Sequence, residues 1–193
     1  MSLVFYHGTY HDYEKMKLPQ GDRILWLTPN PVVAREYASP YYSKGPAYVW
    51  EIRLKSGSKI INLRDLDHPV VRKAFDALNE AYGSTSFAGV WTEDYWRKNV
   101  DFGVLEHRRW LPGFFRRNRI DGLVIQDKLG TTPINHESVA LLRKSAIQSM
   151  ERKVVEKGKA QTIGEIEQEA QEWDRAHGRM AQRVVARHLQ TVE

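Results

Sequence analysis

Two short stretches near the amino terminus carry residue types that could do chemistry together. Val4-Phe5-Tyr6-His7-Gly8-Thr9 reads as a strand whose end places an imidazole, an open backbone and a hydroxyl at one point. Further on, Ile24-Leu25-Trp26-Leu27-Thr28 reads as a second strand. Ala34-Arg35-Glu36-Tyr37-Ala38 follows as part of a short helix that brings a phenol ring towards the first strand. A π face attracts positive charge. The set therefore suits a flat cationic ring held beside a ribose.

The elements that must position these groups follow from local pattern. Leu3–Tyr6 and Arg23–Thr28 read as strands, with a polar loop over Tyr10–Gly21 between them. Asn30–Tyr41 reads as a helix with Asn30 as N-cap and Pro31 at its first position. Ala47–Lys55 alternates as a strand, and Lys59–Leu63 as another. A helical middle comes next: Val70, Val71, Ala74, Leu78 and Ala81 recur at helical spacing. After a loop over Gly83–Ser86, Trp91–Asn99 and Leu105–Asn118 read as two more helices, the second interrupted at Pro112-Gly113. Strands are expected again over Gly122–Gln126, Thr131–Ile134 and Ser138–Leu142. This order predicts an α+β fold with a mixed or antiparallel sheet, flanking helices and a long C-terminal helix, not a doubly wound sheet.

Composition bounds the rest. The chain has 193 residues, 41% of them hydrophobic and 11% aromatic, enough for one buried core with an appendage. It has no cysteine, so disulfide and thiolate chemistry are excluded. No stretch approaches the run of roughly 18 apolar residues that a membrane span needs. The expected location is the cytoplasm. The net charge of +5 arises from 29 Lys and Arg against 24 Asp and Glu. Arg97, Lys98, Arg108, Arg109, Arg116, Arg117 and Arg119, set against Asp101 and Glu106, account for all of it. Such a local field favours phosphate or acidic partners. Trp96, Trp110, Phe114 and Phe115 are interleaved there, which suits single-stranded nucleic acid or, alternatively, an amphipathic helix with its aromatics inward.

Composition changes after Met150, dividing the chain into 1–150 and a helical extension over 151–193. Glu151–Lys159 is charged, and Thr162–Leu189 reads as one helix. Its seam of Ile166, Ala170, Trp173, His177, Met180 and Val184 either packs on its own domain or docks a partner or a second copy.

The ordered pieces resemble the ADP-ribosyltransferase superfamily, in the branch with a His-Tyr-Glu type site found in poly-ADP-ribose polymerases, diphtheria-like toxins and small bacterial or phage effectors. They are Tyr6-His7-Gly8-Thr9, Leu25–Thr28 with Ala34-x-x-Tyr37-Ala38, Lys59–Leu63, Ile120–Ile125, and Glu137–Leu142 closing with Ala146–Ser149. The resemblance implies a split-sheet catalytic domain over 1–150, NAD as substrate and no metal. The implied activity is mono-ADP-ribosyl transfer to a macromolecule, protein rather than nucleic acid. The alternatives are modification of nucleic acid, NAD hydrolysis, or a degenerate fold serving as a binding or virion-associated module.

The resemblance also implies roles. His7 hydrogen-bonds the adenosine ribose, the Gly8 backbone pairs with the nicotinamide carboxamide, and Thr9 adds a hydroxyl. Tyr37 stacks on the nicotinamide ring. Trp26 either closes the ring's other side or is an ordinary core residue. Arg23 is the candidate for the pyrophosphate. A carboxylate must oppose the positive charge that builds on the ribose, and Glu137 is the candidate. An ungapped spacing counted back from Ile147 instead puts Ser138 in that slot, and successive strand residues face opposite ways, so one residue of register decides. His136 is the third choice. If Glu137 is catalytic, Asn135 faces the acceptor where arginine-modifying relatives have Glu. No P-loop or dinucleotide-fold glycine motif is present, and the seven histidines lack metal-ligand spacing.

Overall fold

The computed structural model describes residues 3–9, 16, 18–19, 23–38, 47–82, 91–128, 135–155 and 163–178. The first elements in chain order are β1 (Leu3–Thr9), β2 (Leu25–Leu27), α1 (Pro31–Tyr37), β3 (Ala47–Leu54) and β4 (Ile60–Asn62). Helices α2 (Pro69–Tyr82), α3 (Glu93–Asn99), α4 (Gly103–His107) and α5 (Trp110–Arg117) follow. The chain then forms β5 (Gly122–Lys128), β6 (Asn135–Leu141), β7 (Ile147–Val155) and α6 (Ile163–His177).

The strands form two sheets, ordered β1-β3-β7 and β2-β6-β5-β4, in which only the β4–β5 pair is parallel. Alternation along each strand sorts the side chains. Leu3, Phe5, Ile52 and Leu54 of the first sheet share one apolar cluster with Leu25, Leu27, Val124, Val139 and Leu141 of the second. The opposite face of the second sheet presents Leu123, Ile125 and Ala140, which pack with Phe75, Trp96, Leu105, Leu111 and Phe115 of the helical middle. The molecule is thus sheet, sheet and helices in layers, a mixed α+β fold as the element order predicts.

Local chemistry explains several boundaries. Asn30 caps α1 by accepting from Val32 N at 3.0 Å, and Pro31 takes the first helical position, both as expected. The helix expected over Leu105–Asn118 is two helices, and its break lies at Arg108-Arg109. Pro112 falls in the first turn of α5, where a missing N–H costs no helical bond. β7 occupies much of what reads in sequence as a charged stretch, so the first sheet continues past residue 150 to Val155. Helix α6 stops at His177, where Gly178 adopts φ 70° and donates to the Asp174 carbonyl at 2.8 Å. The Tyr10–Gly21 loop (apart from Met16, Leu18 and Pro19), the Gly83–Ser86 loop, the Thr131–Ile134 strand and the seam residues Met180 and Val184 lie outside the described residues.

The basic segment adopts its blander arrangement. Trp96 and Phe115 are fully buried, and Trp110 and Phe114 pack partly buried against the helical cluster. Arg97 pairs with Asp67 at 2.9 Å, and Arg116 donates to the carbonyls of Leu142 and Arg23 at 2.9 and 2.6 Å. Among the described residues no helix is long and apolar enough to cross a membrane.

Candidate ligand-binding site

The site begins where a ladder breaks. Tyr6 and Thr28 exchange both backbone hydrogen bonds at 2.8 Å, joining β1 to β2 at one rung. Strand residues two apart point their N–H and C=O the same way. Gly8 therefore aims its backbone at β2, and an unbroken ladder would pair it with Trp26. That rung is missing among the described residues. The Trp26 carbonyl instead accepts from His7 Nδ1 at 2.8 Å. A carbonyl can only accept, so Nδ1 carries the proton and a neutral His7 keeps Nε2 as an acceptor. Burial holds His7 below the ordinary imidazole range, partly opposed by this hydrogen bond.

A cavity of about 360 Å³ opens at the missing rung. This is at the small end of ligand pockets, which run roughly 300–1,000 Å³. Four groups expected from sequence line it together: His7, Gly8, Trp26 and Tyr37. Tyr6, Thr28, Phe102, Glu106 and Ser138 add to the wall. Trp26 is part core residue and part cavity wall. It packs half-buried against the helical cluster, edge-on to Phe102 with ring centroids 6.4 Å apart, while its remaining surface lines the cavity.

Tyr37 is held from behind. Helix α1 lies against α6, with Val32, Val33, Ile166 and Ala170 buried together and Tyr37 and Trp173 packed on them. Asn30, itself buried, donates from Nδ2 to the Ala170 carbonyl at 3.0 Å and to Asp174 Oδ1 at 3.1 Å. Arg35 pairs with Glu169 across the same contact. Ile166, Ala170 and Trp173 of the α6 seam therefore pack on their own chain, while His177 is exposed. On the other side, the His136 ring lies 5.8 Å from that of Tyr37.

Three expected residues are placed elsewhere. Glu137 does not line the cavity: alternation along β6 turns Ser138 inward and Glu137 to the opposite face. Glu137 lies within electrostatic reach of Arg64, whose pKa burial lowers while Asp101 and Glu137 raise it. The shorter register thus prevails, and the expected convergence of His7, Tyr37 and Glu137 does not form. Thr9 is buried and absent from the lining, where Thr28 supplies a hydroxyl instead. Arg23 lines a neighbouring cavity of about 500 Å³, which shares Trp26 and Glu106 with the first. The side chain of Asn135 lies outside what is described.

Glu106, the one carboxylate among the described lining residues, comes from the short helix α4, and nothing in its sequence neighbourhood marks it out. His136, the third candidate for the acid slot, holds a different surprise. It is buried, and among the described residues neither ring nitrogen has a hydrogen-bond partner. Burial pushes its pKa down to about 4, which keeps the ring neutral. No group of three or more His, Asp or Glu among the described residues could hold a metal ion.

Gly8 has a packing duty as well as an open backbone. A Cβ there would sit 1.8 Å from the Ala34 carbonyl oxygen and 2.9 Å from Ala38 N. Both are backbone atoms of the Tyr37-bearing segment, so neither can rotate away. Gly8→Ala is expected to cost about 2–3 kcal/mol, read as a lower urea midpoint at unchanged m-value. An unshifted midpoint would mean that α1 does not press on β1 this closely.

Comparison of the chain with protein-family models, with curated proteins and with solved structures finds no match.

Proposed function

We propose that the cavity binds the nicotinamide–ribose end of NAD and that the chain transfers ADP-ribose to a protein acceptor. One observation carries this reading: His7, Gly8, Trp26 and Tyr37 line a single cavity at a missing rung between β1 and β2. The two-sheet core opened at that rung is also what an ADP-ribosyltransferase-like fold requires. The lining suits the charge of the ligand. Among the described residues it offers aromatic faces, a neutral imidazole and one carboxylate, and no cationic side chain, which favours a pyridinium ring. The Gly8 N–H and C=O present the donor–acceptor pair that a carboxamide needs, and His7 Nε2 accepts from a ribose hydroxyl.

In the reaction, the bond from ribose C1′ to the pyridinium nitrogen breaks, and nicotinamide leaves as a neutral base with the bonding pair. The acceptor nucleophile bonds to C1′ and loses its proton. Positive charge builds on the sugar between these events, and Glu106 is the carboxylate placed to oppose it. Ser138 in the strand position expected to hold an acid favours a second reading, a module that binds NAD without cleaving it.

Calorimetry with NAD and chromatography of released nicotinamide separate the two. The transferase reading expects both binding and release, with label from NAD passing to protease-sensitive material. Tyr37→Ala is expected to weaken NAD binding about tenfold through the lost ring contact. Binding without release selects the module, and a wild-type chain that does neither removes both readings.

A further inference from the structure

The neighbouring cavity is a site in its own right. It lies at the Arg23 end of β2, and Arg23, Ile24, Trp26, Leu105, Glu106, Arg109 and Pro112 line it. Its guanidinium groups set its chemistry. Among the described residues neither Arg23 nor Arg109 forms an ion pair, whereas Arg97 is matched by Asp67 and Arg72 by Glu93. Arg23 is fixed at its backbone, where its carbonyl accepts from Arg116 at 2.6 Å, so its side chain projects from an anchored point. Two arginines lining one concavity, neither ion-paired among the described residues, outnumber the Glu106 carboxylate there and suit an oxyanion. Only a shared wall, Trp26 with Glu106, separates this concavity from the first.

We infer that this second cavity is the acceptor subsite, and that it recognises an oxyanion, a carboxylate or a phosphate ester, on a protein acceptor. The inference rests on the proposed NAD reading for the word acceptor, though the oxyanion chemistry does not depend on it. With the nicotinamide–ribose end of NAD in the first cavity, as proposed, the second cavity is left for the other reactant. An acceptor anchored there reaches the shared wall, where Glu106 stands beside the reacting ribose. A protein is favoured over nucleic acid because Trp96 and Phe115 of the basic segment are fully buried and Trp110 and Phe114 are packed partly buried on the core. Little of their ring surface is left for bases to stack on.

The test uses the full chain and four probes in calorimetry at low salt: NAD, an Asp/Glu-rich peptide, the same peptide with phosphoserine replacing the acids, and a thymidine oligonucleotide. The wild-type chain is expected to bind one or both peptides, and the preferred one identifies the oxyanion. Arg109→Ala should weaken that peptide about threefold and leave NAD affinity unchanged. Adding Arg23→Ala should bring the loss to about tenfold, and Lys at both positions should restore part of it. Binding should also fall as salt is raised, because the groups are exposed. Equal loss of NAD and peptide affinity in Arg109→Ala would assign the arginines to the dinucleotide and overturn the inference. Tighter binding of the oligonucleotide than of either peptide, or no peptide binding at all, would do the same. A wild-type chain that ignores NAD yet binds peptide through these arginines overturns the proposed function and leaves the oxyanion site standing.

Discussion

Glu106→Gln is expected to slow nicotinamide release about 100-fold while leaving NAD affinity within a few-fold of wild type. Removing a group that faces developing charge typically costs about 100- to 1000-fold. The lower end applies because Glu106 sits exposed at the cavity mouth, where water weakens its field. The amide keeps the size and most of the polarity of the acid, so the change isolates charge. The contrast is Glu137→Gln. Glu137 is the acid that the resemblance makes the candidate, although ungapped spacing falls on Ser138, and it lies on the far face of β6. Its substitution should leave turnover within about threefold, since a substitution away from the chemistry typically moves energies by about 0.5 kcal/mol. Measured rates in the reverse order would restore Glu137 to the site and require β6 to shift by one residue during the reaction. A third variant, Ser138→Glu, probes the strand slot directly. If that slot faces the sugar, the new acid should recover turnover in the Glu106→Gln background.

Acid is expected to destabilise the fold through His136 by about 3 kcal/mol between pH 6.5 and pH 4. The folded-state pKa of about 4 lies below the ordinary 6.5 of an unfolded chain. Between those values the unfolded state holds a proton that the folded state does not, so stability rises with pH across the window. Nothing is lost above the upper value, and the full penalty is present below the lower one. Each pH unit of separation is worth about 1.4 kcal/mol. The ring has no partner on either nitrogen, so it gains nothing from staying polar. His136→Leu should accordingly match or exceed wild type at pH 7 and lose this part of the acid slope. His7 is depressed in the same direction and remains in that variant, so the difference between the two curves belongs to His136. Parallel curves for the two proteins would show that the imidazole is not buried neutral in solution.

What could be read from sequence was what local chemistry determines. Asn30-Pro31 announced the start of α1 because the cap and the proline act within one turn. The meeting of His7, Gly8, Trp26 and Tyr37 was legible because the strand ends and the helix that carry them are short and in order. The acid was not legible. Glu137 and Ser138 are adjacent, and the choice between them depends on how β6 registers against β2, which no local feature encodes. β7 stayed hidden for a related reason. It is an edge strand, and Glu151, Arg152 and Lys153 suit an edge while erasing the apolar alternation that betrays a strand. Pro112 misled in the opposite way, because a proline that opens a helix looks the same in sequence as one that breaks it. Glu106 carried no signal at all. It enters the cavity only because α4 packs Val104 and Leu105 into the core, leaving the next residue at the rim.

The grip of Asn30 on Ala170 and Asp174 makes the carboxy-terminal helix a back-stop for the amino-terminal aromatic slot. Helices α1 and α6 are thereby one mechanical part. Prising α6 away would uncap nothing in α1 itself, because the Asn30 side-chain oxygen still serves Val32. It would, however, let the Tyr37 ring rock, trading a stiff clamp for a loose one. On the proposed reading of the cavity, displacing that helix is therefore expected to weaken ligand capture without touching the ligand.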